Sequence, residues 1–236
     1  MTLNEMIYCR KSCRSYTGVP VDAEMIERIL SFEMKPLYPE IRVRMDVVSR
    51  DQIKCILPWI PPQVITVYSE EAEGYLENVG FLFQQMDLYL QSLGLGVCWL
   101  GMGKMNSRTA PEVEGMKFVI MLAFGYPKGD QMRHDRKEFK RKPLSEIADA
   151  DDIRLEPARL APSSINSQPW YFAHEGENIH VFCAARVMAG YMNRIDMGIA
   201  LAHLYITDPE TFRVIKRETP PKKSGHKYIC SVGFPK

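Results

Sequence analysis

The sequence contains no apolar run that approaches the ~20 residues needed to span a bilayer. Its N-terminus, Met1–Glu5, has neither the basic region nor the apolar region of a secretory signal peptide. An excess of charge of one sign is also absent, since the formal net charge is +1. These absences argue against a membrane or secreted protein, and against nucleic acid or a membrane as a partner. A cytoplasmic location is expected.

Motifs for metals and dinucleotides are missing as well. The six cysteines, at positions 9, 13, 55, 98, 183 and 230, form no Cys-x-x-Cys pair, and no spacing of histidine and cysteine suits zinc. We expect no metal, and free, mostly buried thiols in a reducing compartment. His203 lies in an apolar helical stretch and is predicted to be a core residue. No Gly-x-Gly-x-x-Gly fingerprint follows a strand, which argues against a separate dinucleotide-binding domain.

Length and periodicity predict an α+β fold. The 236 residues are 46% hydrophobic and 25% charged, which suits one sizeable domain or two small, intimate halves. Helical spacing predicts three helices: residues 3–9, a helix that Asp22 caps and that Pro36 and Pro39 end, and residues 74–93. Alternating or continuously apolar residues predict strands at 41–49, 64–68 and 117–125. An antiparallel or mixed sheet flanked by helices is the expected architecture.

One stretch, Leu160–Phe172, combines two prolines with several amide and hydroxyl side chains. The prolines push the residues before them towards extended geometry. In an extended chain, Asn166 and Gln168 point to the same side, and each amide offers a donor and an acceptor. This pair suits the edge of a flat heterocycle, such as the pyrimidine side of a flavin. The alternative is a polar turn that leads into a strand at Trp170.

The run Ala161–Trp170 resembles the signature of the FMN-dependent nitroreductase family. Three further segments are similar to elements of that family: the Arg-rich segment Arg10–Tyr16, the flavin-facing loop Gly94–Gly101, and the late basic motif Arg141–Leu144. Together the four segments touch most of the chain. Their order differs from the family's, because the Asn-Ser-Gln-Pro-Trp run normally comes early and here comes late.

The chain also repeats part of its own pattern. Three ordered matches link its two parts: Pro58-Trp59 with Pro169-Trp170, Gly74–Asn78 with Gly190–Arg194, and Phe124–Lys128 with Val232–Lys236. The period is too long for a solenoid. We therefore predict two related halves, residues 1–142 and 143–236, that form one compact unit.

The resemblance and the repeat together explain the displaced motif. Nitroreductase-family enzymes are typically intertwined homodimers that bind FMN at the interface, with the Arg-rich segment from one subunit and Ser-Ser-x-Asn from the other. Here the first half keeps the Arg-rich segment but has Met34–Pro39 where Ser-Ser-x-Asn would stand. The second half keeps Ser163, Ser164 and Asn166 but has no equivalent of the Arg-rich segment. We expect a single-chain pseudo-dimer, a family branch with two fused half-repeats. It would have one complete FMN site, one degenerate site, and two long repeat helices packed together.

The resemblance implies the following cofactor-binding residues: Arg10, Lys11, Ser12, Arg14, Leu100, Gly101, Arg141, Lys142, Pro162, Ser163, Ser164, Asn166 and Gln168. Arg10 and Ser12 would bind the FMN phosphate, with Arg141 or Lys142 from the other side, because a guanidinium matches phosphate oxygens. Arg14 is assigned to the ribityl chain or the N1/C2-oxygen edge. The backbone at Leu100 and Gly101 would contact flavin N5. Trp99 is predicted to be a core residue.

The implied function is that of an FMN-dependent oxidoreductase. NADH or NADPH would reduce the flavin, leave, and be replaced by a small acceptor such as a nitroaromatic or a quinone, in a ping-pong mechanism. No side chain is assigned a catalytic role, because hydride transfer is the chemistry of the cofactor. A non-catalytic flavin-binding module, a scaffold without FMN, and an FMN enzyme of other reductive chemistry stay open as alternatives. Substrate-pocket residues are expected on loops such as 102–116, and a monomer or weak homodimer is expected.

Overall fold

The structure is a computed structural model that describes residues 1–56, 58–59, 61–106, 113–185, 190–215 and 217–234. The chain forms two compact units. Unit 1 comprises Met1–Tyr75 and Gln85–Arg136, and unit 2 comprises Leu76–Gln84 and Lys137–Lys236. In the described ranges, no helix combines the length and the apolar character that a membrane span requires.

Unit 1 is built around a four-stranded antiparallel sheet with the strand order β1-β3-β6-β4. Its elements are α1 (Leu3–Ile7), α2 (Ala23–Leu30), β1 (Val43–Ser49), β2 (Ile53–Lys54), β3 (Gln63–Ser69), the C-terminal part of α3 (Tyr75–Ser92), β4 (Gly96–Leu100), β5 (Lys104–Met105) and β6 (Lys117–Gly125). Strand β6 lies between β3 and β4 and is buried from Val119 onwards, which confirms the predicted central strand. Strands β2 and β5 form a separate pair.

Unit 2 is built around a second four-stranded antiparallel sheet, with the order β7-β8-β10-β9. Its elements are the N-terminal part of α3, α4 (Leu144–Ile147), α5 (Glu156–Leu160), β7 (Trp170–Glu175), β8 (Asn178–Ala184), α6 (Gly190–Thr207), β9 (Arg213–Ile215) and β10 (His226–Gly233).

The two sheets share one topology. When the four strands of each sheet are numbered in chain order, both sheets have the spatial order first, second, fourth, third. The first and third strands are therefore the edge strands. In each sheet an 18-residue helix connects the second strand to the third. Helices and antiparallel sheets confirm the predicted α+β class, and the shared topology is what an internal duplication would produce.

Local signals set several element boundaries as the sequence predicts. The Asp22 carboxylate accepts a hydrogen bond from Met25 N at 2.9 Å and caps α2. Gly94 follows α3 with a φ of 82°, the left-handed conformation that ends many helices. The strand predicted at Trp170 begins at that residue.

Two predicted helix ends are wrong. Helix α2 ends at Leu30, well before Pro36 and Pro39, because Ser31 closes its last turn. The Ser31 amide donates to Glu27 O, and its hydroxyl donates to Arg28 O at 3.0 Å. Helix α1 ends at Ile7 instead of residue 9, since the Tyr8 amide already closes its last turn on Glu5 O and Met6 O.

The two long helices meet in unit 2 through glycines. A Cβ atom on Gly80 would lie 2.1 Å from Ile195 O, and a Cβ atom on Gly198 would lie 2.0 Å from Glu77 O. Neither distance is possible for a real side chain, so α3 and α6 touch backbone to backbone. The predicted packing of the long repeat helices against each other is confirmed.

This helix contact is the same when viewed from either helix. Adding 118 to the numbers of Glu77, Gly80 and Phe81 gives Ile195, Gly198 and Ile199, the residues that make the reciprocal contacts. The Gly80 position faces Ile195 O and Ile199 N, and the Gly198 position faces Glu77 O and Phe81 N. Such a reciprocal arrangement is expected where two copies of one helix meet around a local two-fold axis.

His203 is a core residue of unit 2, as predicted, and it joins three elements. Its ring is completely buried, with Nδ1 2.8 Å from Pro157 O and Nε2 3.0 Å from Gln84 Nε2. A carbonyl can only accept, so Nδ1 carries the proton and Nε2 accepts from the Gln84 amide. His203 is therefore a fully satisfied core residue.

A short segment before β7 is held to the sheet by His174. Ala148 pairs with Phe172 in a parallel bridge, and Asp149 N donates to Phe172 O at 3.1 Å. The His174 ring lies between two carboxylates, with Nδ1 2.6 Å from Asp149 and Nε2 3.0 Å from Asp152. Burial lowers the pKa of His174, but the hydrogen bonds and charges of the two aspartates together raise it above its ordinary value of 6.5.

We predict that Gly80→Ala and Gly198→Ala each destabilise the protein by ~1–3 kcal/mol or more, because the helices must move apart to admit a methyl group. Gly190→Ala is the matched control, since nothing lies within 4 Å of a Cβ atom at that position. Urea unfolding of the three variants checks the prediction. Equal midpoints for Gly80→Ala and Gly190→Ala would contradict the close helix contact.

We predict that His174 makes stability depend on pH. Because its folded pKa lies above its ordinary value, its contribution is complete below about pH 6.5 and is lost as the pH rises through the folded pKa. His174→Asn should therefore be destabilising at pH 6 and nearly neutral well above the folded pKa. Urea unfolding at a series of pH values measures this difference. His226→Asn is the control, because that ring contacts the Ser224 carbonyl and the Tyr171 ring. A His174→Asn effect that is constant with pH would contradict the prediction.

Candidate functional site

The candidate residues form two groups, one in each unit. In unit 1, the segment Arg10–Arg14 runs beside β4, at whose end Leu100 and Gly101 lie. In unit 2, the segment Arg141–Lys142 is bonded to the turn at 163–168. Each group is brought together by contacts within its own unit.

Arg10 is the buried anchor of the first group. Its side chain is 1% exposed, and Nη2 lies 3.1 Å from Asp87 Oδ2, which is fully buried on α3. The same nitrogen lies 3.4 Å from Ser12 Oγ. The Asp87 carboxylate also accepts from Trp99 Nε1 at 3.2 Å and from the Gln91 amide. Arg10 therefore fixes the segment to α3, and its predicted contact with a phosphate stays a prediction.

Backbone hydrogen bonds hold the rest of the segment against β4. Cys13 N donates to Val97 O at 2.8 Å, and Ser12 pairs with Val97 in a parallel bridge. The close approach depends on Gly96, because a Cβ atom there would lie 2.5 Å from Cys13 Sγ. Only glycine at position 96 allows this contact without displacement.

The Arg-rich segment also presents positively charged side chains at the surface. Arg14 is exposed, and Lys11 and Ser12 are half-buried. The Leu100 side chain is 2% exposed, whereas Gly101 is exposed. The end of β4 therefore presents backbone rather than a side chain. Trp99, predicted to be a core residue, is half-buried and bonded to Asp87.

Arg141 is held by three acceptors in unit 2. Nε donates to Ala161 O at 3.0 Å, and Nη1 donates to Phe139 O at 2.8 Å and to Asn166 Oδ1 at 2.7 Å. The Asn166 amide nitrogen donates in turn to Lys140 O at 3.1 Å. Asn166 thus ties the turn to the basic segment through both ends of its amide.

Gln168 makes the equivalent connection to Lys142. Its Oε1 accepts from Lys142 N at 2.8 Å, and its Nε2 donates to Asn166 O at 3.1 Å. Lys142 Nζ donates to Ser167 O at 3.0 Å, and Ser163 Oγ accepts from Gln168 N at 2.9 Å. Gln168 is 4% exposed, so its amide is used inside the protein.

The predicted extended geometry is found at Ala161 and Ser163, but it is wrong for Asn166 and Gln168. Ile165, Asn166 and Gln168 have φ values of 48°, 58° and 47°, and Ser164–Asn166 forms a 3-10 turn. Lys140, with φ 47°, is the other non-glycine residue at positive φ in the described ranges. Asn166 and Gln168 adopt this geometry because each side chain bonds the backbone of the basic segment. Residue Pro162 lies before the turn and is buried.

Asp196 contacts this turn but is not among the residues that the sequence predicts for the site. This residue on α6 is 1% exposed, and Ser164 N lies 3.0 and 3.1 Å from its two oxygens. Burial raises the pKa of Asp196 to about 7, and the Ser164 hydrogen bond opposes that rise. The sequence contains one indication of this role, an acidic residue inside the apolar run that forms α6. Such a residue needs a specific partner when it is buried.

A cleft of about 750 Å³ lies beside Arg141 in unit 2. Its walls include Pro143, Glu156 and Arg159. Arg159 and Glu156 form a two-fold ion pair, with contacts of 2.5 and 2.6 Å. In the described part of the chain, no three histidine, cysteine, aspartate or glutamate side chains group closely enough to hold a metal ion.

We predict that Asp87→Ala destabilises the protein by about 3–5 kcal/mol, because it leaves the buried Arg10 charge without its partner. Arg14→Ala should change the free energy of unfolding by less than about 0.5 kcal/mol, since Arg14 is exposed. Urea unfolding of both variants provides the comparison. An Asp87→Ala protein as stable as the parent would show that the ion pair does not anchor the segment.

Known proteins share this sequence pattern and this fold. Residues 2–208 match the family model described as "Putative TM nitroreductase". The structure of a "putative nitroreductase" from Thermotoga maritima MSB8 is similar at 21% identity and a TM-score of 0.69, over 99% of this chain and 94% of that one. A nitroreductase family protein from Clostridium difficile 630 is similar at 20% identity and a TM-score of 0.50, over 65% of this chain and all of that one. Among curated proteins, none matches the chain significantly.

The family match covers most of the chain, and the structural similarity to the Thermotoga protein covers nearly all of it. At 21% identity the structural match supports the fold alone, whereas the match to the family model supports membership of the family. The chain therefore belongs to the nitroreductase family that this model describes.

Proposed function

We propose that the protein is an FMN-dependent oxidoreductase that passes electrons from NADH or NADPH to a small acceptor, such as a nitroaromatic or a quinone, by a ping-pong mechanism. Membership of the nitroreductase family supports an oxidoreductase. The four segments that resemble FMN-binding motifs support the choice of cofactor. FMN, when bound, would supply the chemistry of accepting a hydride and releasing electrons to the acceptor.

The residues present fit FMN by their chemistry. A phosphate needs hydrogen-bond donors, and the first segment offers Lys11, Ser12 and Arg14 at or near the surface. The buried carboxylate of Asp87 is already paired with Arg10. Each group also holds a buried polar atom, Arg10 Nε or Ser167 Oγ, that lacks a hydrogen-bond partner among the described residues.

One observation carries the proposal: the strained residues of the described chain gather at the basic motif. All four non-glycine residues at positive φ in the described ranges lie at Lys140 or in the 163–168 turn. A β-branched residue such as Ile165 is rare in this conformation, which costs about 1–3 kcal/mol. Strain of this kind persists where the surrounding contacts fix it, and it often marks a functional site.

Each group has a separate task in this proposal. In unit 1, Arg14 and Lys11 attract the cofactor and balance its negative charge, and the backbone at Leu100 and Gly101 contacts N5. In unit 2, Arg141, Lys142 and the accessible signature residues Ser163, Ser164 and Asn166 bind the cofactor, whereas the buried Pro162 and Gln168 support the turn. We propose that no side chain acts as a general acid or base.

The remaining expectations belong to the same proposal. The partner is a small-molecule electron acceptor, the chain acts as a monomer or weak homodimer, and it works in the cytoplasm. The loop 102–116 is the expected place for substrate contacts, and its residues 107–112 lie outside the described ranges.

We predict that the purified protein is yellow and that anaerobic NADH or NADPH bleaches its flavin absorption. Flavin that binds but is not bleached by either nucleotide would contradict the enzymatic proposal and leave a flavin-binding module. A protein that stays colourless after FMN is added would contradict the cofactor as well.

We predict that Arg14→Ala weakens FMN binding by about 10- to 100-fold, since hydrogen bonds to charged groups contribute ~1.5–3 kcal/mol. Quenching of FMN fluorescence during titration gives the dissociation constant. The control is Arg28→Ala, which removes an exposed arginine on α2. Equal affinities for the two variants would show that the position of Arg14 has no special role.

A further inference from the structure

The buried carboxylate of Asp196 has no part in the chemistry proposed above, yet it contacts the strained turn directly. Ser164 N–H donates to both Asp196 oxygens, at 3.0 and 3.1 Å. Ser164 opens the 3-10 turn Ser164–Asn166. Because Asp196 lies on the long helix α6, the carboxylate connects the first residue of the turn to a rigid element.

The turn needs such a connection because its own packing does not hold it. Ile165 has a φ of 48° and is 92% exposed, so no burial of its side chain offsets the backbone strain. Downstream, Asn166 accepts from Arg141 at 2.7 Å, and Gln168 accepts from Lys142 N at 2.8 Å. If the turn relaxes, Arg141 loses one of its three acceptors and the Lys142 amide loses its contact with Gln168.

We propose that Asp196 is a positioning residue for flavin binding, whose ionised carboxylate holds the Ser164 amide and thereby the strained turn. Protonation of Asp196 weakens that hold, because a hydrogen bond to a charged acceptor is roughly twice as strong as one to a neutral acceptor. Arg141 and Lys142 are then less well placed, and the affinity for FMN falls. This inference rests on the proposed function and concerns the regulation of that same site.

The charge of Asp196 changes in the physiological pH range. Burial raises its pKa to about 7, while the Ser164 amide favours the ionised form. The Cys183 thiol on β8 also interacts electrostatically with this carboxylate. Burial and then the Asp196 charge raise the pKa of Cys183 to about 11, and Lys227 on β10 opposes them. On α6 itself, Arg194 is paired with Glu77. Near pH 7, therefore, Asp196 changes charge while Cys183 stays a thiol.

The first test compares FMN affinity of the full chain and of Asp196→Asn between about pH 6 and about pH 8. The FMN phosphate has a pKa near 6 and affects both proteins equally, so the ratio of their dissociation constants isolates Asp196. We expect this ratio to change about tenfold, with the parent protein gaining affinity as the pH rises. A ratio that stays constant with pH would overturn the proposal.

The second test needs no flavin. We would measure hydrogen exchange of the Ser164 amide in both proteins at each pH. Its protection reports how strongly the Asp196 carboxylate binds that N–H group. We expect Ser164 to be about tenfold better protected in the parent than in Asp196→Asn at about pH 8, and similarly protected at about pH 6. Equal protection at both pH values would show that Asp196 is only a core residue. If FMN binds neither protein, the proposed function fails, and this exchange result still decides whether Asp196 positions the turn.

Ile165→Gly supplies an independent variant, should Asp196→Asn not fold. Glycine adopts positive φ without strain, so the turn would no longer depend on the carboxylate. We expect the pH dependence of FMN affinity in Ile165→Gly to approach that of the phosphate alone. Unchanged pH dependence, equal to that of the parent, would contradict a role for turn strain.

Discussion

The backbone contact between α3 and α6 is the constraint on which unit 2 depends. Gly80 and Gly198 let the two helices approach until each glycine lies against the main chain of the other. Asp196 stands two residues before Gly198 on the same helix, so the depth of this packing fixes the position of its carboxylate. The Asp196 carboxylate accepts from the Ser164 amide at the start of the strained turn, and the turn is hydrogen-bonded to the basic segment.

Both long helices carry a buried carboxylate that holds one of the family-like segments. On α3, Asp87 pairs with Arg10 and fixes the Arg-rich segment of unit 1. On α6, Asp196 receives the Ser164 amide and fixes the turn of unit 2. The partners differ in charge, and this difference matters. A guanidinium pairs with the first carboxylate, whereas the second accepts from a neutral N–H group. Burial raises the pKa of Asp196 to about 7, and the Ser164 hydrogen bond opposes that rise.

The sequence predicted the features that depend on local signals. The cap at Asp22, the long helix 74–93, the central strand 117–125 and the α+β class all follow from periodicity and end signals. Matching Gly74–Asn78 with Gly190–Arg194 revealed the repeated helix, but with an offset of 116 instead of the 118 that the contacts show, because only close packing reveals which glycines meet. The geometry of Asn166 and Gln168 was missed for a similar reason. Their partners lie about 25 residues away, and these long-range hydrogen bonds override the local effect of Pro169 on Gln168. Ala161 keeps the extended conformation that Pro162 favours, with φ -55° and ψ 145°.

The central claim is that an internally repeated chain holds one complete flavin site. It is tested by the number of FMN molecules bound per chain at saturation, measured by titration of the purified protein and by extraction of the bound flavin. We expect one FMN per chain. Two FMN per chain would show that both halves keep a working site, and a chain that binds no FMN would contradict the proposed cofactor.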